Sequence, residues 1–209
     1  MRTAIKSILA VAILIVAYLL FESINDPIRF NREVKKRETA TIKRLKDIRT
    51  AQTAYRAKYG EYTGSFDTLI NFVKHDSFPF VKAIGSISDS LWDLGVTEKK
   101  ALEMGIITRD TTYVHILDSL FVRGYPIDSL RYVPYCDTNQ FFLGATDLVT
   151  VSKVKVKVFE ANVLNNILLH GLNKQLIINY NAQREKIVGF MGLKVGSLEA
   201  STNNAGNWE

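Results

Sequence analysis

One cysteine, four prolines and three histidines are all that 209 residues offer of the types that staple, kink or ligate a chain. Cys136 alone cannot form an internal disulfide, and a Cys-built zinc site or Cys-x-x-Cys redox pair is excluded with it. His75, His115 and His170 have no metal-ligand spacing, and His115, inside an apolar run, reads as a structural histidine. No Gly-x-Ser-x-Gly, His-Glu-x-x-His, phosphate loop or dinucleotide fingerprint is present. A nucleophilic role for Cys136 is opposed by Asp137 beside it, which disfavours a thiolate. Ser201 to Asn207 supplies asparagines but no aspartate, a poor set for a hard cation. These absences leave no catalytic constellation, and we expect no enzyme activity, no cofactor, no metal and no small-molecule substrate. Two further absences concern the N-terminus: no glycine precedes Gly60, and no carboxylate lies between Met1 and Phe21.

What fills that N-terminus is apolar. Ile8 to Phe21 is unbroken except for the Tyr18 hydroxyl, with Arg2 and Lys6 before it and Glu22 after it. Its anchor residues are Ile8, Leu9, Ile13, Leu14, Ile15, Val16, Leu19, Leu20 and Phe21. Fourteen helical residues reach about 21 Å, and Ile5 to Ile24 reaches the roughly 30 Å of a hydrocarbon core. Lys6 then snorkels and Glu22 meets the interface. A cleaved signal peptide needs small residues soon after the apolar run. Phe21-Glu22-Ser23-Ile24-Asn25-Asp26 has no such pattern, so residues 1–24 are expected to be an uncleaved transmembrane signal anchor. Arg2 and Lys6 flank one side, but Arg29, Arg32, Lys35, Lys36 and Arg37 crowd the other, and charge leaves the orientation open.

Asp26-Pro27 reads as a helix cap followed by proline at the first position, or as a kink in a continuing helix. From Ile28 to Tyr59 there is neither Gly nor Pro. Ile42, Leu45, Ile48, Gln52, Tyr55 and Tyr59 recur at three and four, beside Ala51 and Ala54, which predicts a helix with one apolar stripe. Asn31 to Arg44 is dense in both charges and reads as a solvated stalk, giving a stalk helix over 25–60. Gly60 supplies the stop. Ser65 is placed to cap a short helix carrying Phe66, Leu69, Ile70 and Val73 on one face.

With its apolar anchor, proline just beyond, and helix ending in Tyr55, Tyr59, Gly60, Tyr62, Thr63 and Ser65 to Leu69, the chain resembles the type IV pilin and type II secretion pseudopilin superfamily over about residues 5–75. The resemblance implies an α+β fold: a long N-terminal transmembrane-plus-stalk helix packed on a small antiparallel β-sheet head. It also implies a bacterial inner-membrane protein with its head in the periplasm, a structural subunit of a secretion or transport machine. Its partners would be other membrane-anchored subunits, as hetero- or homo-oligomer, and the lipid bilayer. The prepilin peptidase motif is lacking, since a prepilin has a glycine before its apolar run and a glutamate a few residues into it. Architecture and export orientation are therefore implied, and filament formation is not.

The remaining 61–199 reads as an α+β globular head and 200–209 as a polar tail, which Trp208 is able to dock. Thr97 to Gly105 reads as a capped two-turn helix. Ile106–Arg109, Thr111–Ile116, Arg131–Val133, Gln140–Leu143 and Val151–Phe159 read as strands, while Gln175–Val188 fits helix or strand. Val154, Val156 and Val158 alternate with Lys153, Lys155 and Lys157, which predicts one buried and one wet face, the lysines guarding an edge. The net charge of +6 suits anionic headgroups or an acidic partner. Lys35, Lys36, Arg37, Lys43 and Arg44 on the stalk, with Lys153, Lys155 and Lys157, are the expected partner contacts. No nucleic acid is expected. A stand-alone membrane-tethered binding domain is the alternative reading.

Overall fold

Helix α1 runs from Arg2 to Tyr59, 58 residues without a glycine, or about 87 Å at 1.5 Å per residue. Pro27 lies inside it, so the chain continues through the proline rather than restarting there. Gly60 ends it with φ +76° and an N–H bonded to the Arg56 carbonyl at 2.8 Å, the left-handed conformation that glycine adopts without a Cβ penalty. The computed structural model describes residues 2–93, 95–136, 138–150 and 153–209.

Beyond α1, Ser65 caps α2 (Phe66–His75) by accepting the Thr68 N–H. The capped helix buries Leu69, Ile70 and Val73, as its spacing predicts, and Phe72 as well. An antiparallel ribbon follows, β1 (Ser77–Ile84) paired to β2 (Thr108–His115) over its full length. Between its strands lie α3 (Asp89–Asp93) and α4 (Glu98–Glu103). Helix α5 (Ile116–Leu120) and a 3₁₀ turn at Ile127–Arg131 lead to the main sheet. That sheet holds β3 (Phe142–Val149), β4 (Lys155–Leu164) and β5 (Gly192–Gly196), antiparallel with β4 central. Helices α6 (Asn165–Leu168) and α7 (Lys174–Val188) connect β4 to β5. The structure is thus a mixed helix-and-sheet protein with one long apolar N-terminal helix and small antiparallel sheets.

Helix α1 lies across β4 and β5. Leu45, Ile48 and Ala51 are fully buried there against Phe159, Ala161 and Val195. The alanines let the helix approach the sheet closely, and each fully buried Leu or Ile contributes about 1.5–3 kcal/mol. Gly196 admits another close approach: a Cβ there would stand 2.1 Å from the Phe159 carbonyl oxygen.

Several local expectations change. The strands expected at Ile106–Arg109 and Thr111–Ile116 are one strand, β2. Arg131–Val133 ends the 3₁₀ turn and gives only an isolated bridge, Tyr132 to Gln140. In the strand expected at Val151–Phe159, residues 151 and 152 lie outside those described, and β4 itself runs on to Leu164. Gln175–Val188 is helical, because Asn173 caps it and Gly189 closes it at φ +68°.

The solvated-stalk expectation for Asn31–Arg44 is corrected. Phe30, Val34 and Thr41 are buried, and Phe30 meets the Tyr180 ring edge-on at 6.2 Å. The valine–lysine alternation also resolves differently. Lys155 and Lys157 share the period-two face of Phe159, Ala161 and Val163, which is the core face. Val154 is 57% exposed and only Val158 of the three valines is buried.

Candidate interaction surface

The inward side of α1 fastens the helix to the head with polar bonds as well as apolar contacts. Arg37 donates to the carbonyls of Leu168 (3.0 Å) and His170 (2.9 Å), at the end of α6. Glu38 accepts from the Tyr180 hydroxyl at 2.7 Å and from Arg184 at 3.2 Å. Burial, and then the Glu38 carboxylate, push the Tyr180 hydroxyl up to about 12. Arg44 donates to the carbonyl and, at 2.7 Å, the hydroxyl of Ser129. Asp47 accepts from the Tyr125 hydroxyl at 2.6 Å. Arg37 and Arg44, expected as partner contacts, are thus both hydrogen-bonded within the molecule. Each carries a charge to backbone carbonyls of the head, a structural use that residue type alone does not reveal.

The opposite side of α1 is open. Lys35, Lys36 and Lys43 are exposed, as are Arg29, Arg32 and Lys46. Lys36 lies over the Tyr135 ring, 5.1 Å from its centroid. None of these six cations forms an ion pair among the described residues. Thr39, Thr50 and Thr53 return their hydroxyls to the carbonyls of Lys35, Lys46 and Arg49 four residues earlier, at 2.7–3.0 Å. Below them the apolar residues Leu9, Ile13, Leu14, Ile15, Val16, Leu19, Leu20 and Phe21 are 54–70% exposed. Ile8 lies in the helix, but its side chain is outside those described. Among the described residues one helix is long and apolar enough to cross a membrane, and it fits a transmembrane or signal anchor.

The three head lysines separate in the same way. Lys157 is half-buried and reaches Glu61 (3.4 Å) and Asp147 (3.7 Å). Lys155 is exposed on β4, and Lys153 is exposed in a turn at φ +58°.

Chemistry is sparse elsewhere. A polar cleft of about 220 Å³ lies between Arg56, Tyr62, Lys157 and the Ser201–Asn204 loop. It contains no base–nucleophile pair. His75 and His170 are exposed, and so is His115, which reads from its apolar run as a structural histidine. It closes β2, where every residue faces solvent. Cys136 is buried with its thiol donating to the Ile167 carbonyl at 3.3 Å. Among the described residues no group of three His, Cys, Asp or Glu side chains is placed to hold a metal ion. The tail is docked: Trp208 packs on the core, Gly206 bridges to Val195, and Glu209 pairs with Arg49 at 2.7 Å.

No family model, no curated protein and no solved structure matches the chain.

Proposed function

We propose that this chain is a single-pass membrane-anchored structural subunit of a cell-envelope assembly, with secretion or transport as the class of machine. It works by holding a head at a fixed height above a bilayer and offering its stalk to other subunits. Catalysis forms no part of the reading.

One observation carries it. The same helix that exposes an apolar segment from Leu9 to Phe21 becomes, from Phe30 onward, part of the core of the head. Only about eight residues, or about 12 Å of helix, separate the two. A tethered binding domain gains reach from a flexible linker, whereas a rigid strut gains position. Lateral packing of the span is eased by Ala10, Ala12 and Ala17, which permit close helix approach. The pilin-like resemblance adds the inner membrane and a periplasmic head to the reading.

Carbonate extraction of native membranes, followed by affinity purification of the full chain and mass spectrometry of partners and mature N-terminus, tests this. The expected result is a chain that stays in the pellet, keeps its apolar segment and copurifies with defined membrane subunits. A soluble chain that begins beyond Glu22 would overturn the proposal.

A further inference from the structure

Arg29, Arg32, Lys36, Thr39, Lys43, Lys46, Thr50 and Thr53 recur along α1 at alternating steps of three and four. That repeat keeps one seam facing a neighbouring helix. From Arg32 on, each of these residues lies two positions beyond a head-facing one: Phe30, Val34, Arg37, Thr41, Arg44, Ile48 and Ala51. Two residues are about 200° of helix turn, so the seam faces directly away from the head. Continued toward the N-terminus, the same steps pass through Asn25, Glu22, Tyr18, Ile15 and Val11. The head leaves most of this side of the helix uncovered, touching it where Lys36 lies over the Tyr135 ring and where Thr50 and Thr53 line a shallow cleft with Phe78, Leu120, Asn203 and Asn204.

We infer that this seam docks an acidic helical segment of a partner subunit, running alongside α1 above the membrane. The inference rests on the proposed membrane-anchored assembly and names the kind of partner it takes. The threonines support a helical neighbour. Their hydroxyls are satisfied by their own helix, so they offer methyl groups between the long cationic side chains.

Charge decides among occupants. A second copy in the same bilayer would stand parallel and bring its own cations to equal height, where like charges repel. Lipid headgroups account for the lower part of the seam only. Lys43 and Lys46 lie 22 and 25 residues beyond Phe21, about 33 and 38 Å along the axis. A 40° tilt still leaves Lys43 about 25 Å above the apolar segment. The headgroup layer extends only about 5–8 Å beyond the hydrocarbon, and salt screens the lipid charge within roughly 10 Å. An acidic helix is long enough to reach both ends.

The test uses the full chain in phosphatidylcholine nanodiscs. Its probe is a fluorescein-labelled 21-residue helical peptide with glutamate at its seam positions, followed by anisotropy. The K43E/K46E variant is compared with K153E/K155E, which changes the net charge equally on the head. We expect salt-sensitive binding that weakens at least tenfold in K43E/K46E and less than threefold in K153E/K155E, with unchanged thermal unfolding. Equal weakening in both variants would reduce the effect to net charge and overturn the seam. Absence of binding to the incorporated wild-type chain would overturn it as well. Loss of peptide binding on adding phosphatidylglycerol, with no effect of K43E/K46E, would assign the cations to the membrane surface instead. A chain that fails to enter nanodiscs at all would overturn the anchor and the seam together, and is seen before peptide is added.

Discussion

Gln52 ties the end of α1 to the loop beyond it. Its side chain is fully buried on the apolar stripe, donating to the Thr63 carbonyl at 2.6 Å and accepting the Thr63 N–H at 3.2 Å. Two backbone groups that the turn after Gly60 leaves without partners are satisfied by one amide. Gln52→Leu fits the stripe better yet leaves both unpaired, at about 1–3 kcal/mol each. Thermal unfolding of the full chain is expected to fall by about 4–10 °C; an unchanged midpoint would show the pair to be dispensable. Glu209 gives a second prediction at this scale. The Arg49 guanidinium, with the Gly206 N–H, holds its carboxyl below the ordinary value of 4.5. A lowered folded value means that the tail clamp is fully present above that ordinary value and is lost as pH falls through the folded one. In a Trp92→Phe background, Trp208 emission is expected to shift to the red only on acidification below about 4.5, and Glu209→Gln to remove that transition. A shift near neutral pH would contradict the assignment.

Among the elements, the β1–β2 ribbon stands apart. Its strands form a two-stranded sheet of their own, and the segment between them holds a satellite cluster of Val96, Ala101 and Ile107 separate from the main core. Phe80, Val81 and Tyr113 are exposed on it. Replacing residues 80–112 by an Asn-Gly turn between Pro79 and Tyr113, which already face each other, supplies a two-residue hairpin. The head's unfolding temperature is expected to change by less than about 5 °C, and a collapse would show the ribbon to be part of the core. Element by element, legibility in the sequence followed the strength of the pattern. The stripe from Ile42 to Tyr55, the Ser65 cap and the Gly60 stop were readable because spacing and cap chemistry agree, while Tyr59, at the end of the stripe, is exposed. The packing of Asn31–Arg44 was hidden, because Phe30, Val34 and Thr41 are sparse among charges and Arg37 spends its charge on backbone carbonyls. The β4 alternation was readable as period two but not by face. Its lysines continue the core face past the end of α1, where Lys157 finds Glu61 and Asp147. The outward seam was visible as spacing, but only the head's position shows that this side is left open.

For the whole molecule, the proposed function requires the apolar segment and the head to move as one rigid body joined by α1. The apolar segment, the exposed cationic seam and the buried stripe are successive or opposite parts of a single helix, so under the proposed function bilayer position, head height and partner registry would be set together. An unbroken helix through Pro27 is the feature on which this coupling depends. The most direct test is a distance between spin labels at Tyr18→Cys and Thr50→Cys, in a Cys136→Ala background, with the full chain in nanodiscs. Thirty-two helical steps predict a narrow distribution centred near about 48 Å. A broad distribution, or one centred well below that distance, would mean that the anchor and the head move independently and would contradict the account.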